Sequence, residues 1–240
     1  MFVCIEEWFS TLDDFFRSFD NIGTIINDAL MRIIPALICI TIHELAHGYT
    51  AYKLGDNTAK NMGRLTLNPI KHIDPIGLLM MLVMRFGWAK PVPVDSRNFK
   101  HPKWYMAITA LAGPLSNIIL AAFIMMLFGM TFVSLTGFEA GLTIANIIFN
   151  TIYISIALAV FNMLPLPPLD GSKVLFSLLP ENAYSKLMHY ERYGMIILLI
   201  IVGMQMFFNI NIFGMLIGYP TELIFSGLGI FFDFTFNLVN

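Results

Sequence analysis

The sequence predicts an all-α, multi-pass membrane protein: a bundle of four to six transmembrane helices with a small membrane-associated β-sheet. Three observations predict it. Hydrophobic residues make up 57% of the 240 residues and charged ones only 12%, about half the charged share of an ordinary soluble domain. The mean hydropathy is +0.73. The apolar residues fall in long continuous runs, not in the alternating pattern of a membrane barrel. A chain that must satisfy its backbone inside lipid is then left with helices. The net charge of −2 argues against a nucleic-acid partner. Two cysteines, Cys4 and Cys39, make no disulfide framework.

The elements follow in order. Residues 1–24 form an N-terminal segment. Apolar groups at Phe2, Ile5, Phe9, Leu12, Phe16 and Phe19, with acids between them, suggest an amphipathic helix on the membrane surface or against the bundle. The acids Glu6, Glu7, Asp13 and Asp14 stand where a secretory signal would be basic. Residues 25–212 form the core. Its spans run from Ile25 to Tyr52, Met106 to about Met130, Leu142 to about Leu164, and Tyr193 to about Ile212. Each is long enough for a hydrocarbon layer about 30 Å thick. Ile76–Met84 is too short to cross and reads as re-entrant or interfacial. Residues 213–240 are apolar but carry Pro220, Glu222 and Asp233, so they are a further span or a membrane-associated tail.

Charge placement orients the bundle. Nine of the fourteen basic residues lie between Lys53 and Lys103, and Lys173, Lys186 and Arg192 follow the third span. Residues 129–145 and 193–240 contain no Lys or Arg. The positive-inside rule places both basic loops in the cytoplasm and the N-terminus outside. Within the first loop, Gly63–Leu67 and Pro91–Val94 read as two short strands. An extended peptide could pair with either.

The chemistry centres on His43-Glu44-Leu45-Ala46-His47. Residues four apart on a helix share a face, so His43 and His47 can ligate one metal ion. Glu44 stands beside them as a base for a water at the metal. The motif lies at the end of a strongly apolar helix, where ionisable side chains are expensive and usually functional. A catalytic zinc takes three protein ligands. His72, His101 and His189 are available in basic loops, but Asp170 is the stronger third ligand. It follows Pro165, Pro167 and Pro168, which stop a helix and present a carboxylate from unwound backbone beside the membrane. Gly171 permits a tight turn there. Asn162, upstream, could hold a substrate carbonyl or oxyanion, or cap the broken helix. Asn117, in Gly113-Pro114-Leu115-Ser116-Asn117, is open to a bond across to the active-site segment or to helix packing.

These motifs, in this order and spacing, resemble the site-2 protease family of intramembrane zinc metalloproteases, in its compact prokaryotic branch. The resemblance covers roughly residues 35–210. It implies one zinc ion held by His43, His47 and Asp170, with Glu44 as the base and Asn162 at the family's asparagine. It also implies peptide-bond hydrolysis in or near transmembrane segments of membrane proteins, in a cell membrane, with the site toward the cytoplasmic side. Many relatives carry a PDZ or CBS domain; neither fits in this sequence. A metal transporter using the same ligands, or an inactive scaffold, is the alternative. A transporter would spread polar groups through its spans, and the intact Glu44 argues against a scaffold.

Overall fold

The computed structural model describes residues 22–84, 87–190, 193–208 and 214–239. The amphipathic reading of residues 2–20 lies outside them. Helix α1 (Ile22–Lys53) carries the histidine motif, and Pro35 lies inside it. Short helices α2 (Thr58–Asn61) and α3 (Pro75–Met84) sit in the basic loop. The bundle continues with α4 (Pro102–Thr136) and α5 (Glu139–Asn162). Next come α6 (Asp170–Ser177) and α7 (Glu181–Tyr190), then α8 (Gly194–Phe208) and α9 (Tyr219–Val239).

Among the described residues four stretches are long and apolar enough to cross a membrane: Met31–Lys53, Pro102–Thr136, Glu139–Asn162 and Gly214–Val239. The first three match the expected spans. The fourth lies in the C-terminal segment, for which the sequence left a further span or a membrane-associated tail open. The expected span from Tyr193 to Ile212 carries helix α8 over Gly194–Phe208, and residues 209–213 lie outside the described ones. Pro220 does not end the C-terminal stretch: a π-helical turn over Gly214–Gly218 leads directly into α9, whose second residue it is. Glu222 falls in the first turn of α9. Asp233 is exposed.

α4 is the central element, in contact with α1, α5, α6 and α9. Its second half forms the core with α5, through Ala121, Met125 and Phe128 against Ala145, Ile152 and Ile156. α9 closes this end with aromatic pairs. Phe128 and Phe132 meet Phe232 at centroid distances of 5.7 and 5.5 Å, and Phe149 of α5 meets Phe225 at 5.3 Å. Gly129 makes the approach possible: a Cβ there would lie 2.2 Å from Thr235 Oγ1 and 2.5 Å from the Phe232 carbonyl oxygen.

The basic loop is ordered by side chains, not by a sheet, which corrects the sequence reading. Among the described residues the only strand-like pairing is one isolated antiparallel bridge, Ile73 with Ala89. Pro91 and Pro93 have no N–H to give a ladder. The Val92 N–H is used by Glu44 instead. Nor is Thr66 a ladder position. Its N–H bonds the Arg64 carbonyl, and its own carbonyl accepts from His72 Nε2. Two buried side chains pin the loop. Asp56 is fully buried and accepts from the Thr58 and Asp95 N–H groups, the Thr58 hydroxyl and the Asn98 amide, at 2.5–3.0 Å. Burial opposes ionisation of Asp56, but these bonds more than offset it and hold its carboxyl below the ordinary 3.8. Arg64 Nη2 donates to the Lys90 and Pro91 carbonyls at 2.8 and 3.2 Å. Asp95, at the loop surface and bonded to the Arg97 guanidinium, is lowered to about 2.

Candidate metal centre

The helical spacing of His43 and His47 turns both rings toward one point, with centroids 4.5 Å apart. Asp170 reaches the same point from the start of α6. Its Oδ2 lies 3.1 Å from His43 Nε2 and 3.0 Å from His47 Nε2. One ligand atom from each of the three residues lies within 4.8 Å of the other two. All three are nearly buried, at 5%, 9% and 8% exposure. The carboxylate arrives there because α5 stops at Asn162 and α6 restarts at Asp170. The proline-rich stretch between, with a cis Pro167–Pro168 peptide, is not helical. Gly171 serves close packing here, not a turn: a Cβ would lie 2.2 Å from the Met163 carbonyl oxygen.

The outer nitrogen of each ring fixes which inner nitrogen is free. His47 Nδ1–H donates to the Thr109 carbonyl at 2.7 Å, so its Nε2 keeps a lone pair. His43 Nδ1 lies 3.3 Å from the Asn117 amide. Both partners come from α4. Thr109, Gly113 and Asn117 stand four residues apart and share one helix face, and that face lies against the histidines. Gly113 is the closest point. A Cβ there would sit 2.4 Å from His47 Nε2 and 2.6 Å from His43 Cε1. Two imidazole nitrogens and a carboxylate oxygen, buried and convergent, with each outer ring nitrogen next to a polar group, fit the donor set of a catalytic zinc.

Glu44 is not one of the three grouped ligands, and its Oε2 accepts the Val92 N–H at 2.7 Å. It lines a cavity of about 440 Å³ with His43, His47, Asp170, Asn162, Val92, Val94 and Lys173 among others. Lys173 Nζ is 3.9 Å from Asp170 Oδ1. Asn162 is half-buried, its amide donates to the Leu158 carbonyl one turn back at 2.9 Å, and the residue lines the cavity. Asn117 is fully buried and does not line it. His72 is buried, with Nε2 on the Thr66 carbonyl, and His101 stacks edge-on with Tyr105 at 5.4 Å. Neither joins the cluster. The side chain of His189 lies outside the described residues. Sequence reasoning passed over Thr109, Val92 and Lys173. Thr109 and Val92 act through backbone atoms, which leave no residue-type signal. The Gly113–Asn117 spacing was the one clue to the α4 face.

Fold and site together define a class, the membrane-embedded metallohydrolase. The comparisons narrow it. The family model described as "Peptidase family M50" matches residues 130–208. The candidate zinc metalloprotease YwhC of Bacillus subtilis (strain 168) is 45% identical over 175 residues, covering 70% of this chain and 78% of the relative. The candidate zinc metalloprotease Rip2 of Mycolicibacterium smegmatis is 27% identical over 177 residues, covering 69% of this chain and 64% of the relative. Its namesake in Mycobacterium tuberculosis (strain H37Rv) is 28% identical over 180 residues, covering 72% and 66%. The chain thus spans just under two thirds of these two mycobacterial relatives. No solved structure matches the chain. The chain belongs to peptidase family M50, the site-2 proteases.

Proposed function

We propose a division of labour within this intramembrane zinc metalloprotease. His43, His47 and Asp170 hold one zinc ion, and Glu44 is the general base. The convergence of two Nε2 atoms and one carboxylate oxygen, with Glu44 on the adjoining cavity wall, carries this reading. When bound, zinc acts as a Lewis acid that polarises the scissile carbonyl and makes water acidic enough to attack near neutral pH. Glu44 takes the proton of the attacking water and returns it to the leaving amine. For this it must exchange the Val92 N–H for water. The apolar walls from Met106 and Ala110 limit solvent around the reacting atoms. Asn162 can donate to a developing oxyanion if its amide releases the Leu158 carbonyl.

The substrates are segments of membrane proteins, presented in or beside the bilayer. A helical segment must unwind to be cut, because its carbonyls are already bonded. Val92 and Val94 line the cavity wall outside any helix, so of the two stretches an unwound substrate could pair with, Pro91–Val94 is the one at the cavity. The cavity walls include the loop residues Pro91–Ser96, and that loop carries most of the basic residues. This supports a site facing the cytoplasm in a cell membrane. Residues 25–212 make the protease core. The segment from 213 docks on it through the phenylalanines of α9 and is a further crossing.

The test is cleavage of a membrane peptide by the purified chain, with zinc measured on the same samples. Glu44→Gln keeps zinc and loses at least 10²–10⁴-fold in rate, the usual worth of a general base. A chelator abolishes wild-type cleavage and added zinc restores it. Near-normal cleavage by Glu44→Gln removes it from the mechanism.

A further inference from the structure

We propose that Asn117 is a positioning residue for the metal centre: it holds the His43 ring in the orientation that turns Nε2 toward Asp170. This rests on the ligand assignment above. The Asn117 amide lies 3.3 Å from His43 Nδ1, with Asn117 fully buried and His43 5% exposed. A histidine that gives the Nε2 lone pair to a metal carries its hydrogen on Nδ1. That hydrogen needs an acceptor, and in metal sites the acceptor sets the ring's angle and basicity. The Asn117 amide is the group found at that nitrogen. Which end of an amide is oxygen follows from hydrogen-bond chemistry. A protonated Nδ1 requires Oδ1 there. As placed, Nδ2 faces His43 Nδ1 and Oδ1 is buried without a partner, an arrangement that costs about 1–3 kcal/mol; turning the amide over gives Oδ1 the Nδ1 hydrogen.

The amide is also held in place. The Asn117 backbone carbonyl accepts the Ser155 hydroxyl of α5 at 2.8 Å, so α4 is tied to α5 at this residue. One face of α4 thus serves both rings: the Thr109 carbonyl takes the His47 Nδ1–H, Gly113 lets the rings come close, and Asn117 meets His43. Asn117 contributes nothing to the cavity wall, which favours ring orientation over contact with substrate.

The experiment uses the purified full chain in detergent. Zinc affinity is measured against a competing chelator, alongside the absorption spectrum of the cobalt-substituted protein and the melting of the metal-free protein. Asn117→Leu keeps the volume and removes the acceptor. It binds zinc 10–100-fold more weakly, the usual loss when a ligand's outer partner is removed, and shifts the cobalt bands at saturation. Asn117→Asp keeps an acceptor and stays within a few-fold of wild type. Ser155→Ala removes the tie to α5 without touching the amide; it lowers the melting temperature and leaves zinc affinity unchanged. Should Asn117→Leu not fold, Asn117→Ala takes its place. Wild-type zinc affinity and cobalt bands in Asn117→Leu overturn the proposal. So does an equal loss in Ser155→Ala, which would make helix packing the cause. If His43→Ala also keeps wild-type affinity, the ligand assignment falls; if it loses zinc while Asn117→Leu does not, only the role of Asn117 falls.

Discussion

The two halves of α4 pack by opposite rules. The first half meets α1 through single directed contacts: one carbonyl, one glycine and one amide, each opposite a histidine. The second half meets α5 and α9 through alanines, methionine and interlocking phenylalanine rings. Directed contacts have one solution. Dispersion contacts have many, and each atom pair contributes only about 0.1–0.2 kcal/mol. The active-site half therefore trades tolerance for geometry, and the far half keeps the bundle closed.

The comparison is broken first at its most sensitive point. Gly113→Ala places a methyl carbon 2.4 Å from His47 Nε2, against two rings that meet the Thr109 carbonyl and the Asn117 amide on their far sides. Zinc binding falls at least 100-fold and cleavage falls with it, while thermal unfolding of the metal-free protein changes little. An enzyme with normal zinc content would show that α4 does not press on the site. At the other end, Phe232→Ala removes a ring that touches Phe128 and Phe132. It costs about 1–2 kcal/mol of stability, less than the 3–5 typical of a water-soluble core, because the separated helix remains in lipid. Zinc affinity is unchanged. Unfolding in mixed detergent with zinc titration separates the two quantities, and a loss of zinc would join the halves that the structure divides.

The smallest effect is in the loop. Asp56→Asn keeps the shape but removes the charge that collects four donors. The strap from Lys90 to Asn98 loosens, and cleavage drops a few-fold with zinc retained. The Asp56 carboxyl is lowered in the folded chain. Its contribution is thus fully present above the ordinary value of 3.8 and fades as pH falls through the lower folded one. A wild-type enzyme near pH 7 holds all of it, and the melting curves of wild type and Asp56→Asn converge only in strong acid. Divergence that grows as pH falls would reverse the sign of this account.

The metal cluster was legible because its signals are residue types at fixed spacing. Two histidines four apart need only a helix to converge, and three prolines before Asp170 announce the break that delivers the carboxylate. The first three crossings were legible from composition and length. Their partners were not. Thr109 and Val92 act through backbone atoms, and Gly113 acts by lacking a side chain. The expected sheet failed because Pro91 and Pro93 cannot pair and because Asp56 and Arg64 are buried and organise the loop. The C-terminal crossing stayed open between a span and a tail because Pro220 and Glu222 look like interruptions in an apolar run.

The third ligand is the point on which the account turns, since only Asp170 joins the chain's two distant motifs. The direct measurement is zinc bound per chain in Asp170→Ala, compared with wild type and with His72→Ala, after equilibration at one fixed free-zinc concentration. The account predicts about one zinc in wild type and in His72→Ala, as in a single three-ligand site, and little in Asp170→Ala. Full zinc in Asp170→Ala, with loss in His72→Ala, would contradict it.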